Sequence, residues 1–117
     1  MFRVIIAGSR GFRDYKFLCD VCNKALKNQT DIQVVSGGAW GADKLGERFA
    51  KEFEHSLKQF LADWDKYGKA AGYIRNDEMA RNADALIAFW DGKSVGTKHM
   101  IDLANKHGLK VKVYEYK

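Results

Sequence analysis

The chain has 117 residues, of which 46% are apolar and 30% are charged, as in an ordinary globular protein with one core. No apolar run approaches the roughly 18 residues that a membrane-spanning helix needs, and no signal peptide is visible, so we expect a cytoplasmic protein. The net charge of +5 is compatible with an anionic ligand or with weak nucleic-acid contact, although the basic residues are spread out as on a solvated surface.

Apolar runs alternate with stretches of three- and four-residue apolar spacing, which predicts alternating strands and helices. Strands are expected over 2–8, 31–36, 56–61, 85–90 and 109–116, and helices over 15–27, 42–53, 70–83 and 97–106. In the third strand we expect Leu57 and either Gln59 or Phe60 to point inward, and we expect 62–69 to be a loop. This order predicts one α/β domain, 1–117, with a Rossmann-like doubly wound sheet of about five mainly parallel strands and helices on both faces.

Cys19 and Cys22 have the C-x-x-C spacing of zinc and redox sites. They lie within helical spacing rather than at a helix start, and no second pair or nearby histidine completes a metal site. We therefore expect Cys22 in the core, Cys19 as a neighbour without a chemical role, and no metal or cofactor.

Glycine-rich segments follow the predicted strands, at the edge where parallel α/β sheets bind ligands. The turn from Gly37 to Asp43 would present backbone N–H groups to phosphate at a helix N-terminus. It matches neither the dinucleotide G-x-G-x-x-G nor a Walker motif, and a purely structural turn is the alternative. Asp43 would either complement the helix dipole or accept ribose hydroxyls.

Two further segments supply groups for an anion. Gly8, Ser9 and Arg10 end the first strand, and arginine suits bidentate contact with phosphate. The loop containing Ser94, Gly96 and Thr97 would form a second cradle at a helix start.

One face of the third helix carries Gly72, Arg75, Asn76 and Met79. A charge on a packing face needs a partner, which would be an internal group such as Asp91, a ligand or a symmetry mate. Four aromatic residues could stack a base or could instead belong to the core or to an interface, namely Trp40, Trp64, Tyr67 and Trp90. Of these we favour Trp64 for a ligand role.

These segments resemble the SLOG superfamily, specifically its small YspA-like branch common in bacteria and phages. The resemblance covers nearly the whole chain and rests on Ala7-Gly8-Ser9-Arg10, Ser36-Gly37-Gly38-Ala39 with Gly41-Ala42-Asp43, Ala62-Asp63-Trp64 with Gly68, Ala71-Gly72 with Arg75-Asn76 and Met79, and Ala88-Phe89-Trp90-Asp91-Gly92 with Ser94, Gly96 and Thr97. The usual prolines of the family are replaced by Leu61 and Tyr73.

The resemblance implies a Rossmann-like fold that binds nucleotides or nucleotide-derived ligands. The Lonely Guy phosphoribohydrolases of the superfamily have an arginine in an R-K-x-x-M pattern, which carries over to Arg75. Their glutamate, three residues after Gly-Thr, is missing here, because Met100 stands at that position. A glycosidase needs such a carboxylate, so the departure favours a binding protein over an enzyme.

We therefore expect a protein that binds or senses a nucleotide-like small molecule and that forms a homodimer or larger assembly. The alternatives are a phosphoribohydrolase-like N-glycosidase with Arg75 and with Asp91 or Asp43 as catalytic residues, and a DNA-binding module like the related domain of DprA. The expected ligand-binding residues are Gly8, Ser9, Arg10, Gly37, Gly38, Ala39, Gly41, Asp43, Asp63, Trp64, Arg75, Asn76, Met79, Ser94, Gly96 and Thr97.

Overall fold

The computed structural model describes residues 1–116. Its five strands are β1 (Phe2–Gly8), β2 (Ile32–Ser36), β3 (Ser56–Gln59), β4 (Ala85–Trp90) and β5 (Lys110–Glu115). Its helices are α1 (Tyr15–Leu26), α2 (Ala42–Glu52), α3 (Trp64–Tyr67), α4 (Ala71–Arg81) and α5 (Val95–Lys106), with a 3₁₀ turn at Gly68–Ala70. The predicted alternation of strands and helices is confirmed.

All strand pairs are parallel, and the strand order is β3-β2-β1-β4-β5. The chain moves outward from β1 to β3 and then returns to place β4 on the other side of β1. The loops after β1 and β4 consequently leave in opposite directions, and a crevice opens between them at the carboxyl end of the sheet. The predicted Rossmann-like doubly wound fold is therefore confirmed.

Each face of the sheet has its own apolar core. The α1 and α2 side chains, including Leu18 and Phe49, cover one face, and the α4 and α5 side chains, including Met79 and Met100, cover the other. The central strand β1 contributes Val4, Ile5 and Ile6 in succession with no exposed area, as expected for a strand buried on both faces.

Three local predictions need correction. Residues 64–67 form the short helix α3 rather than a loop, because the Asp63 carboxylate accepts the Lys66 backbone N–H at 3.1 Å and caps it. Leu57 is 42% exposed, because β3 is an edge strand that the helices cover incompletely, whereas Phe60 just beyond it is buried. Helix α5 begins at Val95, two residues before the predicted start.

The predicted placement of the two cysteines is confirmed. Cys22 lies on the inward face of α1 and is buried in the core, Cys19 is partly buried, and both are free thiols. Within residues 1–116, no helix combines the length and the apolar character needed to cross a membrane.

Candidate functional site

A cavity of about 120 Å³ opens in the crevice between β1 and β4. We call it the inner cavity. Its wall is built from the carboxyl end of β1 and the loop after it, the β2–α2 turn, α4 and the start of α5. The residues are Ala7, Gly8, Arg10, Ala39, Asp43, Arg75, Asn76, Met79, Ser94, Gly96, Thr97 and Met100. Segments that are far apart in sequence therefore converge on one polar recess.

The β2–α2 turn is shaped by backbone requirements. Gly41 has a φ of 83°, and a side chain at this position would collide with the backbone carbonyls of Ser9 and Arg10. The Ser36 hydroxyl accepts the Gly38 N–H at 3.1 Å and donates to the Glu47 carboxylate at 2.7 Å. The turn therefore packs closely against the loop after β1, and the Ser36 side chain fixes it through its hydrogen bonds to Gly38 and Glu47.

Asp43 points from the first turn of α2 into the inner cavity, and only 5% of it is exposed. Its Oδ2 accepts the Ala39 N–H at 3.2 Å. Burial raises the pKa of Asp43 to about 6, and the Ala39 N–H and the Arg75 cation oppose that shift. The carboxyl group is therefore poised to change protonation close to neutral pH.

Arg75 reaches from α4 to the β2–α2 turn. Its Nη1 donates to the Gly37 carbonyl at 2.6 Å, and its Nε donates to the Asn76 Oδ1 at 3.1 Å. Burial lowers the pKa of Arg75, Asp43 opposes that effect, and the neighbouring cation Arg10 adds to it. The internal partners are thus a carbonyl and an amide rather than Asp91, and the guanidinium faces the cavity beside a second arginine.

Asn76 links Arg75 to helix α5 and is itself buried. Its Nδ2 lies 3.4 Å from the Gly96 carbonyl oxygen and 3.2 Å from the His99 Nδ1. Because its Oδ1 accepts from Arg75, the amide holds the arginine in register with the start of α5.

Asp91 organises the β4–α5 loop. Its Oδ1 accepts the backbone N–H groups of Lys93 at 2.9 Å and Ser94 at 2.7 Å, which lower the pKa of Asp91, and its own N–H donates to the buried Ser9 hydroxyl at 3.1 Å. The Asp91 side chain lies outside the wall of the inner cavity.

The start of α5 faces the inner cavity without a side-chain cap. Ser94 is the N-cap residue, but its hydroxyl makes no capping hydrogen bond within the described chain and accepts instead from the Thr97 hydroxyl at 3.2 Å. The backbone N–H groups of the first turn are consequently available to an anion, which the helix dipole also favours.

A second recess of about 220 Å³ continues outward from the inner cavity. We call it the outer pocket. It shares four lining residues with the inner cavity, namely Arg10, Arg75, Asn76 and Gly96. Its other lining residues are Trp64, Lys69, Gly72 and Tyr73. Trp64 is 54% exposed, so its ring is accessible to a ligand.

Most of the predicted site residues converge on these two recesses. The inner cavity contains Gly8, Arg10, Ala39, Asp43, Arg75, Asn76, Met79, Ser94, Gly96 and Thr97, and the outer pocket adds Trp64. The remaining predicted residues line neither recess and instead take part in the hydrogen bonds and close packing of the surrounding loops, namely Ser9, Gly37, Gly38, Gly41 and Asp63.

Several wall residues were not predicted. Lys69 and Tyr73 precede the predicted Asn76 at four- and three-residue spacing, and Gly72, which was predicted on this helix face, also lines the outer pocket, so the lining segment extends one turn earlier than the predicted site. Ala7 and Met100 form apolar parts of the wall, and Met100 is the residue that stands in place of the glutamate named above. Among residues 1–116, no group of three or more His, Cys, Asp or Glu side chains is arranged to hold a metal ion.

Comparisons with known proteins place this geometry in context. The profile of the YspA, cpYpsA-related SLOG family matches residues 2–67. The Gene 61 protein of Mycobacterium phage D29 is 40% identical over 118 residues, which cover 95% of this chain and 94% of that protein. An X-ray structure of TM1055, a structural genomics target, superposes with a TM-score of 0.70 at 22% identity, covering 95% of this chain and 72% of that one. At this identity, the latter similarity speaks for the fold alone.

Proposed function

Since the chain belongs to the YspA, cpYpsA-related SLOG family, we propose that it binds a nucleotide or a nucleotide-derived small molecule at the crevice between β1 and β4. One observation carries the proposal. A small polar recess with two arginines opens directly into a larger recess with an exposed indole, and the two share a wall. A phosphate-bearing group fits the first, and an aromatic base fits the second.

The inner cavity supplies three kinds of anion contact. Arg10 and Arg75 bring positive charge, and arginine pairs with phosphate oxygens in a bidentate manner. The uncapped N–H groups at the start of α5 add hydrogen bonds and the helix dipole. Asp43, which lines the same cavity, is then left to accept a ribose hydroxyl.

The outer pocket supplies the surface for a base. Trp64 and Tyr73 offer aromatic faces, and Lys69 lies beside them. Stacking on an aromatic side chain contributes about 1–3 kcal/mol for each base and tolerates base identity. Affinity would therefore depend on Trp64 for every base, with the phosphate fixing the orientation.

Calorimetric titration with the four common nucleoside 5′-monophosphates tests this function. Arg75→Ala should weaken binding about tenfold or more, because a charge-assisted contact is lost. Arg75→Lys keeps the charge without the planar fork and should recover only part of the affinity. Arg81→Ala on the same helix, which removes an exposed ion pair with Asp77, is the matched control.

The result that contradicts the proposal is binding by none of the nucleotides, or equal loss in the Arg75 and Arg81 variants. Arg75→Ala also unpairs the Gly37 carbonyl, so circular dichroism must show that the variant stays folded. A strongly salt-dependent shift of single- or double-stranded DNA, with no nucleotide binding, would instead favour the DNA-binding alternative.

A second function, hydrolysis of the N-glycosidic bond, is favoured by the buried carboxyl group of Asp43. Its pKa of about 6 is suited to a general acid, which would protonate the leaving base as the bond between base and anomeric carbon breaks. Water would then add to that carbon and return its proton to the Asp43 carboxylate. Asp91, the other predicted acid, is occupied by the backbone of its own loop.

Release of free base from nucleoside monophosphates, followed by chromatography, tests this second function. If Asp43 is the acid, Asp43→Asn abolishes release while nucleotide binding persists, whereas Asp91→Asn retains release. If the unmodified protein binds the nucleotide but releases no free base, hydrolysis is contradicted and only the binding function stands.

A further inference from the structure

A third hollow, of about 490 Å³, lies beside the inner cavity and is not used by the site described above. We call it the Trp40 hollow. The exposed indole of Trp40 forms part of its wall. The wall also contains the basic side chains of Arg10, Arg13 and Lys44 and the apolar side chains of Phe12 and Leu45. No acidic side chain contributes to this wall. Lys44 is paired with Glu47 just outside it at 3.5 Å, so Arg10 and Arg13 supply the net positive charge with which the hollow favours an anionic ligand.

Trp40 is the most exposed large apolar side chain in the described chain, with 75% of its surface accessible. It is carried on the β2–α2 turn, immediately before Gly41, whose tight packing against the β1 loop holds the turn in place. An accessible indole on a fixed turn beside cations has the features of a stacking platform for a base.

The Trp40 hollow and the outer pocket lie on opposite faces of the sheet. Phe12 and Leu45 belong to the core between the sheet and α1 and α2, whereas Tyr73 and Asn76 in the outer pocket are on α4, which covers the other face. Arg10 lines the Trp40 hollow, the inner cavity and the outer pocket alike. A ligand that reaches both Trp40 and Trp64 must therefore pass over Arg10.

We propose that the Trp40 hollow is a second base subsite and that the natural ligand is a dinucleotide, in which two nucleosides are joined through a diphosphate bridge. This inference rests on the proposed function. One base stacks at Trp64, the diphosphate lies against Arg10 and Arg75, and the second base stacks at Trp40 beside Arg13 and Lys44.

A nucleic-acid strand is the less suitable occupant. A strand needs a continuous track of positive charge along its backbone, whereas the cations here meet around Arg10. Other lysines, such as Lys110 and Lys112, lie on β5 at the far edge of the sheet.

The test compares the four nucleoside 5′-monophosphates with the four symmetric dinucleoside pyrophosphates, each joined 5′ to 5′. For the preferred base, the two-base ligand should bind about tenfold or more tightly than the monophosphate, as one additional stacked base implies. Trp40→Ala should remove this gain and leave the affinity for the monophosphate unchanged. Trp64→Ala should weaken both ligands.

Tryptophan fluorescence supplies a readout that does not depend on affinity. In the Trp64→Phe variant, Trp40 and Trp90 remain, and the two-base ligand should quench emission where the monophosphate does not. Arg13→Ala should reduce affinity for the two-base ligand only, and Lys27→Ala, which removes an exposed lysine at the end of α1, should change neither.

The two proposals fail in different ways. If monophosphates bind but the pyrophosphates bind no more tightly, or if Trp40→Ala affects both equally, the second subsite is overturned and the proposed function stands. If an oligonucleotide loses affinity in Trp40→Ala while the two-base ligand does not, the hollow serves nucleic acid instead. If no nucleotide binds, both proposals are overturned.

Discussion

Arg75 shows how a single side chain connects structure and recognition in this protein. Its hydrogen bonds to the Gly37 carbonyl and to Asn76 keep the guanidinium from turning into solvent. Because the side chain is already ordered, less conformational entropy is lost when a ligand binds. The same residue therefore stabilises the β2–α2 turn and presents positive charge to the inner cavity.

Asp43 makes stability depend on pH, in a direction opposite to that of most carboxylates. Its pKa of about 6 in the folded chain lies above the ordinary value of 3.8, so the folded state retains a proton that the unfolded state releases. Stability should therefore fall as the pH rises through this interval and remain lower above it. The effect is on the order of 3 kcal/mol.

Asp43→Asn should accordingly be more stable than the unmodified protein at pH 7, because no buried charge has to form. Its free energy of unfolding in urea should also lack the decline between about pH 4 and pH 6. Asp65→Asn, at an exposed position on α3, is the control. A less stable Asp43→Asn variant at pH 7 would mean that the ionised carboxylate stabilises the fold.

At the scale of secondary structure elements, the close approach of α2 to β1 positions the β2–α2 turn at the cavity. Gly46 lies on the inward face of α2, and a Cβ atom there would be 2.7 Å from the Ile6 Cγ2 and 2.8 Å from the Ile6 Cβ. These distances leave no space for a methyl group, so α2 rests directly on the central strand.

Gly46→Ala should therefore lower the free energy of unfolding by about 1–3 kcal/mol through overpacking, although alanine by itself favours a helix by about 1 kcal/mol. Gly96→Ala in α5 is the contrasting variant, because nothing lies within 4 Å of its would-be Cβ. Its stability should be unchanged or slightly increased. Chemical denaturation of both variants checks the prediction, and an undiminished stability of Gly46→Ala would show that α2 can shift.

At the scale of the whole molecule, the strand order β3-β2-β1-β4-β5 determines where a ligand can bind. Only between β1 and β4 do the connecting loops part, and both arginines of the inner cavity reach this point from different elements. The site therefore depends on the complete fold rather than on one motif.

We expect self-association through the layer formed by α4 and α5, which exposes Ile74 at 38% and Val95 at 69% of their surfaces. Light scattering coupled to size exclusion should show a homodimer or larger assembly, and Ile74→Glu with Val95→Glu should shift it towards monomer, because charges oppose burial of that face. Leu57→Glu on the edge strand β3 should have no effect. A monomeric unmodified protein would contradict this expectation.

The sequence by itself determined the order of elements, the two-sided burial of the sheet and most residues of the inner cavity. Apolar runs and helical spacing are local signals, and ligands of parallel sheets gather at one edge, so Arg10, Asp43 and Arg75 were identifiable without coordinates. The exposed side of β3 was misjudged because edge position is a property of the assembled sheet.

Only the tertiary structure decided what each polar group contacts. Asp91 and Asp43 illustrate this. The Asp91 carboxylate accepts two backbone N–H groups of its own loop, whereas Asp43 is buried with a raised pKa. Both are aspartates within two residues of a glycine, Gly41 for Asp43 and Gly92 for Asp91, and this local spacing does not distinguish them. Burial and hydrogen-bond partners depend on how distant elements pack, which is why the division between supporting and cavity-facing residues required the fold.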